Sequence, residues 1–217
     1  TADGAGEGAR QQARFIVVRL LAWLGQWQLA GERIDLMLNH HPNDLKLVRL
    51  KANVLERSGD PDAAVELLRK RQLTDPASAY QLAGVLKRQG HADSAIEVLR
   101  QLIVDDPDTL VARNDLAILL AERGQGRAAI EIAREAVTLR PNAAGLIDTL
   151  GWVYYLSGEV DLAHETLTRG IERHPTSPAT GCHLAVVLLE AGDRDGSAGR
   201  WQRCESSAAG SPLIDDV

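Results

Sequence analysis

Small residues recur along the chain at fixed distances from a repeated glycine, and this pattern sets the predicted architecture. The recurring glycines are Gly25, Gly59, Gly90, Gly124, Gly158 and Gly192. The positions seven residues earlier hold Val18, Ala52, Ala83, Ala117, Gly151 and Ala185. The positions five residues later hold Ala30, Ala64, Ala95, Ala129, Ala163 and Ser197. Leu, Ala and Val supply most of the apolar content, which favours helices over strands.

Each feature of the pattern fits a pair of antiparallel helices joined by a tight turn. A glycine can take a positive φ, and it can therefore end one helix before the next begins. Small side chains let packed helices approach closely, whereas larger ones would push them apart. Asp60 and Pro61, directly after Gly59, are typical of a helix start. We therefore predict one helix before and one helix after each glycine.

One step of the repeat is shorter than the others. The glycines are 34 residues apart except for Gly59 and Gly90, which are 31 apart. A second series, Pro42, Pro76, Pro107, Pro141 and Pro175, shows the same single irregular step. We place the three missing residues where the second repeat joins the third. The helix around Ser78 to Arg88 is then predicted to be shorter than its counterparts by nearly a turn, since each residue adds about 1.5 Å, with a notch beside Tyr80 and Gly84.

These positions resemble the tetratricopeptide repeat in every unit. The resemblance implies an all-α solenoid of about six helical hairpins that form a right-handed superhelix. It divides 11–207 into repeats 11–44, 45–75, 76–109, 110–143, 144–177 and a degenerate 178–207. Residues 1–10, rich in Ala and Gly, are predicted to be a disordered leader, and 208–217 an irregular tail.

Candidate chemistry is sparse. The six histidines form no metal-binding H-E-x-x-H helix. Gly124-Gln125-Gly126 is a turn with no strand before it, so it does not match a phosphate-binding loop. We therefore predict no enzymatic activity, no cofactor and no metal site. The favoured interpretation of Cys182 and Cys204, on opposite helices of the last hairpin, is two half-buried thiols; a disulfide would need an oxidising compartment.

Charge and hydropathy exclude two further classes of partner. The net charge of −6 argues against nucleic-acid binding through phosphate neutralisation. The chain has no run of about 18 apolar residues, which argues against direct insertion into a membrane. The expected partner is a protein or peptide.

The tetratricopeptide resemblance implies a concave groove lined by the first helix of each hairpin. In the first three repeats the groove positions are Phe15, Arg19, Trp23, Lys46, Arg49, Asn53, Arg57, Tyr80, Lys87 and Arg88. In the last three they are Asn114, Asp115, Ile118, Glu122, Asp148, Trp152, Tyr155, His183 and Glu190.

Charge divides along these positions. The first half carries six Lys and Arg residues against Glu56, whereas the second half carries Asp and Glu residues and neither Lys nor Arg. We predict that such a field orients an extended ligand, with its acidic end over repeats one to three and its basic end over repeats four to six. The groove aromatics would supply the affinity. On this hypothesis Arg49→Glu with Arg88→Glu weakens binding.

A narrower resemblance concerns the C-terminal half. Asn114-Asp115-Leu116-Ala117, the block from Asp148 to Tyr155 and His183-Leu184-Ala185 look like the C-terminal repeats of bacterial proteins linked to exopolysaccharide export and PEP-CTERM systems. This resemblance implies a scaffold of the bacterial envelope. The alternative is a cytoplasmic adaptor or regulatory domain of a larger protein, and either could form homo-oligomers through terminal hairpins.

Overall fold

A computed structural model of the chain describes residues 2–210, and the exposure of side chains from 12 to 204. The described residues form twelve α-helices and no strand. The helices are α1 Ala2–Trp23, α2 Trp27–His40, α3 Leu45–Arg57, α4 Pro61–Arg69, α5 Pro76–Arg88, α6 Ala92–Asp105, α7 Leu110–Glu122, α8 Gly126–Leu139, α9 Ala144–Leu156, α10 Val160–Arg173, α11 Pro178–Glu190 and α12 Arg194–Gly210. The predicted all-α array of six helical hairpins is confirmed.

The turn inside each hairpin is built on the recurring glycine. All six adopt positive φ, from 72° at Gly25 to 91° at Gly59, and no other described residue does. A side chain is strained in that conformation, so glycine is required there. The small residues beside the turns are almost fully buried, as at Ala52 and Ala64. The prediction that the paired helices approach closely at these positions is confirmed.

The three-residue deletion lies in a different helix from the predicted one. The helix α5 has 13 residues, the same length as α3 and α7. The short helix is α4, with nine residues against 14 in α2 and α8. The prediction of a shortened helix from Ser78 to Arg88 was therefore wrong.

The error came from treating Pro76 as equivalent to the other prolines of the series. In the other repeats the recurring proline stands two residues before the helix N-cap, as Pro42 precedes Asp44. Pro76 instead follows its N-cap, Asp75, and occupies the first turn of α5. Its counterpart is Pro178 in the first turn of α11, because proline fits the first turn of a helix. The missing residues are thus lost from the end of α4.

The described residues divide into two compact units, 2–98 and 99–210, with the division inside α6. The first unit holds α1 to α5, and its core includes Val18, Ile34, Met37 and Leu47. Phe15 and Trp27 pack against this cluster. The second unit holds α7 to α12, and its buried side chains include Leu116, Leu120, Val153, Leu167, Leu184 and Val187.

The two ends of the described chain differ from the predicted boundaries. The helix α1 begins at Ala2, so the structure gives 2–10 helical backbone where a disordered leader was predicted. Three alanines, Glu7 and Arg10 in this segment favour a helix, whereas its three glycines oppose one. The helix α12 extends to Gly210, and 211–217 of the predicted tail lie outside the described residues. Among the described helices, none combines the length and the apolar character that crossing a bilayer requires.

Candidate functional site

The first helices of the second unit form one continuous layer. Within this unit α9 touches both α7 and α11, whereas the second helices α8 and α10 lie farther apart. First helices that approach more closely than second helices place a concave surface on their own side. We call this surface, carried by α7, α9 and α11, the first-helix face.

A carboxylate and a histidine connect two hairpins on the first-helix face. Nδ1 of His183 in α11 lies 3.0 Å from Oδ1 of Asp148 in α9. A carboxylate can only accept a hydrogen bond, so Nδ1 of His183 donates it and the contact fixes the ring orientation. Asp148 is buried and His183 is partly exposed. Asp148 lies in the interior of α9, so it is not an N-cap.

Two aromatic rings extend this contact. The ring of Trp152 stacks on His183 with 4.3 Å between centroids and on Tyr155 with 4.9 Å. All three rings remain partly exposed. A partly exposed, preorganised aromatic cluster offers a large contact area with little side-chain entropy left to lose. We refer to Asp148, Trp152, Tyr155 and His183 as the aromatic cluster.

The cluster combines residues that the sequence placed in the groove with contacts that it did not predict. Asp148, Trp152, Tyr155 and His183 all occupied predicted groove positions. The stack across α9 and α11 was missed, although Asp148 and His183 stand ten and nine residues before successive turn glycines. Their positions in adjacent repeats differ by only one residue, and this near-equivalent register was the available signal.

The remaining predicted positions of the second unit lie on α7 and at the end of α11. Asn114, Asp115 and Ile118 are partly exposed, and Glu122 at the end of α7 is exposed. Glu190 is exposed at the end of α11. The second unit therefore carries exposed or partly exposed carboxylates at Asp115, Glu122 and Glu190, and a buried one at Asp148.

In the first unit, Arg49 is committed to a structural ion pair. Its guanidinium binds Oδ2 of Asp75, the N-cap of α5, and the amide of Gln81 donates to the Arg49 carbonyl at 3.0 Å. The amide and hydroxyl of Ser78 also donate to Asp75, at 3.2 and 2.5 Å. Burial alone raises the pKa of Asp75, but these hydrogen bonds and the Arg49 charge outweigh burial and hold that pKa below its usual value.

Two other predicted groove cations are also engaged within the first unit. Arg88 makes a bidentate pair with Glu56, with distances of 2.5 and 2.8 Å. The guanidinium of Arg57 lies 5.9 Å from the centre of the Trp27 ring. These cations join α3 to α5 and α3 to α2. Arg49→Glu with Arg88→Glu would therefore break two structural ion pairs, so this double variant does not isolate binding.

The other predicted positions of the first unit are dispersed. Phe15 packs on the core, Asn53 is partly exposed, and the rest are exposed: Arg19, Trp23, Lys46, Tyr80 and Lys87. They are spread over α1, α3 and α5. In the second unit, by contrast, Trp152, Tyr155 and His183 are joined in one stack.

Cys182 in α11 and Cys204 in α12 form a disulfide, with Cα atoms 5.2 Å apart. The favoured prediction of two separate thiols was wrong for this structure. Cys182 stands ten residues before the turn glycine and Cys204 twelve residues after it, and the antiparallel hairpin brings these positions face to face. Among the described side chains no group of three His, Cys, Asp or Glu is arranged to hold a metal ion.

Family models match two stretches of the chain. Residues 48–70 and 80–144 each match a model described as a tetratricopeptide repeat. A sequence comparison with curated proteins gives no significant match.

Solved structures show the same fold at low sequence identity. A tetratricopeptide repeat protein from Parabacteroides merdae superposes with a TM-score of 0.75 at 11% identity, over 90% of this chain and 78% of that chain. The pilF protein of Pseudomonas aeruginosa gives 0.65 at 17%, over 94% and 95%. A thermophilic TPR protein of Thermus thermophilus gives 0.63 at 25%, over 76% and 92%.

Proposed function

Because this chain contains tetratricopeptide repeats, a fold that generally mediates protein–protein interaction, we propose that it is a non-catalytic scaffold that binds a peptide or helix on the first-helix face of its second unit. The observation that carries the proposal is the aromatic cluster. Trp152 stacks between Tyr155 and His183 and remains partly exposed. Aromatic side chains in such positions commonly dominate the energy of an interface.

The charges around the cluster select the partner's chemistry. Asp115, Glu122 and Asp148 lie on the helices that form this face, and no predicted groove position there holds Lys or Arg. Carboxylates beside a stacked aromatic favour a segment that presents Lys or Arg next to an apolar or aromatic anchor. The proposed ligand is therefore a basic segment of a protein partner.

A displayed library of random peptides, selected on the purified chain, tests this function. The selected peptides should be enriched in basic and aromatic residues. Trp152→Ala should weaken their binding by about 2 kcal/mol, the loss typical of an interface hot spot, as measured by fluorescence anisotropy. Trp201→Ala, which removes an exposed indole from α12, is the matched control. Peptides that bind the Trp152→Ala variant as tightly as the wild type would place the binding surface elsewhere.

The disulfide supports the bacterial envelope as the setting. Disulfides persist in oxidising compartments such as the periplasm and are rare in the cytosol. The similarity to exopolysaccharide-export repeat proteins rests on the quoted residue blocks, and the comparisons add nothing to it. We therefore propose envelope assembly as the wider role, with a cytoplasmic adaptor domain as the alternative.

Thiol trapping in native cells distinguishes these two settings. The cells are quenched in acid, free thiols are alkylated, and the peptides that carry Cys182 and Cys204 are identified by mass spectrometry. An envelope protein should show both cysteines protected from alkylation until a reductant is added. Alkylation of both cysteines without reductant would support the cytoplasmic adaptor.

A further inference from the structure

The outer side of the first hairpin carries an apolar cleft. Val17 and Leu21 of α1 and Leu29 and Leu36 of α2 line a cleft of about 560 Å³, together with Arg14 and Arg33. Val17, Leu29 and Leu36 are exposed to solvent. Exposed apolar side chains gathered in one concavity are typical of an interaction surface.

The later hairpins show what kind of element covers this surface. Val17 and Leu20 are 47% and 53% exposed, whereas the residues in the same repeat positions of α9, Leu150 and Val153, are 9% and 0% exposed. In α11 the equivalent residues, Leu184 and Val187, are 1% and 0% exposed. The helix α9 packs against the preceding α8, and α11 packs against the preceding α10. The surface of α1 is therefore shaped for a helix, the element that covers it in each of these hairpins.

The charges in the cleft specify that helix further. Arg14 occupies the repeat position of Arg113, which is buried and whose guanidinium lies 2.8 Å from Glu135. The repeat position of Glu135 is held in the first hairpin by Leu36. Among the described side chains, neither Arg14 nor Arg33 forms an ion pair. Arg113 thus has an ion-pair partner in Glu135, whereas Arg14 has an apolar side chain, Leu36, in the equivalent position.

From these observations we propose that the cleft of the first hairpin binds an amphipathic helix of a partner protein, with an apolar stripe flanked by acidic residues. The stripe would lie on Val17, Leu29 and Leu36, which line the cleft, and the acidic residues would pair with Arg14 and Arg33. A second copy of this chain fits poorly. Two first hairpins would bring Arg14 and Arg33 against themselves, and α12 carries Arg194, Arg200 and Arg203.

Two synthetic helical peptides of about 18 residues, or five turns, test the proposal on the full chain by fluorescence anisotropy. Both carry the same leucine stripe, and one has Glu and the other Lys in the flanking positions. The acidic peptide should bind about tenfold more tightly or better, and its affinity should fall with added salt. Leu36→Glu should abolish this binding, because it fills the apolar site and supplies Arg14 with an internal carboxylate.

A charge reversal separates the cleft from general adhesion. Arg14→Glu with Arg33→Glu should transfer the preference to the basic peptide, while Val104→Glu, at an exposed apolar residue of α6, should change nothing. All three variants alter exposed side chains, so helix content by circular dichroism should be unchanged.

Three outcomes would overturn the proposal. They are binding of neither peptide, equal binding of both peptides, and self-association in sedimentation velocity that Leu36→Glu abolishes, which would identify a second copy as the occupant. Trp152→Ala should leave the acidic peptide's affinity unchanged. The proposal for this cleft and the proposed function of the first-helix face can therefore be contradicted independently.

Discussion

At the scale of single residues, Asp75 connects two helices of the first unit. It caps α5 through Ser78 and holds Arg49 of α3 in an ion pair. Its carboxylate therefore fixes the start of one first helix against the middle of the previous one. This explains why an arginine predicted to bind a ligand instead stabilises the fold.

Asp75→Asn should destabilise the chain by about 1–3 kcal/mol at pH 7, because asparagine can still cap α5 but loses the charged hydrogen bond to Arg49. The pKa of Asp75 is lowered in the folded state. Asp75 therefore contributes its full stabilisation of the fold above the unfolded-state pKa of about 3.9. This stabilisation is lost as the pH falls through the lower folded-state pKa. The difference between wild type and variant in urea unfolding should shrink below about pH 4.

The control is Asp44→Asn at the N-cap of α3. Asp44 accepts hydrogen bonds from the amides of Lys46 and Leu47 but forms no ion pair among the described side chains. Asparagine caps nearly as well as aspartate, so the change should be within about 0.5 kcal/mol. An equal loss at both positions would show that the ion pair with Arg49 contributes nothing.

At the scale of helices, contact between the two members of a hairpin depends on one small position. In α9 that position is Gly151, where an added Cβ would lie 2.5 Å from Cγ of Leu167 in α10. Leu167 is completely buried and has little room to move. The fifth hairpin therefore packs more closely at this point than an alanine would allow.

Gly151→Ala and Gly145→Ala place the same substitution in the same helix. A Cβ at Gly145 would meet nothing within 4 Å, so alanine there should stabilise α9 by up to about 1 kcal/mol. At Gly151 overpacking against Leu167 should make the protein less stable than Gly145→Ala by about 1–3 kcal/mol. Thermal unfolding of the two variants measures this difference, and equal stabilities would contradict the close approach.

At the scale of the whole molecule, stability should be distributed between the two units described above. Each helix packs mainly on its neighbours in sequence, as α3 does on α2 and α4, and α10 does on α9 and α11. In such arrays the free energy of unfolding is close to a sum of hairpin and nearest-neighbour terms. A substitution in one unit should therefore act locally.

Leu68→Ala should lower the local free energy of opening in α3 to α5 by about 2–5 kcal/mol, because Leu68 is fully buried in α4. Hydrogen exchange followed by mass spectrometry should show this loss while the amides of α10 and α11 keep their protection. Leu73→Ala, at an exposed leucine in the following loop, should change neither region. A uniform loss over all helices would mean that the chain unfolds as one cooperative unit.

The sequence by itself determined the hairpins of this protein. The six turn glycines and the buried small residues were correctly assigned, because positive φ and close helix packing restrict residue type locally. It also placed Asp148, Trp152, Tyr155 and His183 on one face, because groove positions repeat in register with those glycines.

Only the tertiary structure decided which residues are neighbours across hairpins. It showed that α4 and not α5 is short, that Arg49 and Arg88 are paired, and that Cys182 meets Cys204. Arg88 finds Glu56 at a sequence separation of 32 and His183 finds Asp148 at 35. These separations are close to one repeat, so many side chains compete for each partner. Repeat spacing limits the candidates, and packing in three dimensions selects among them.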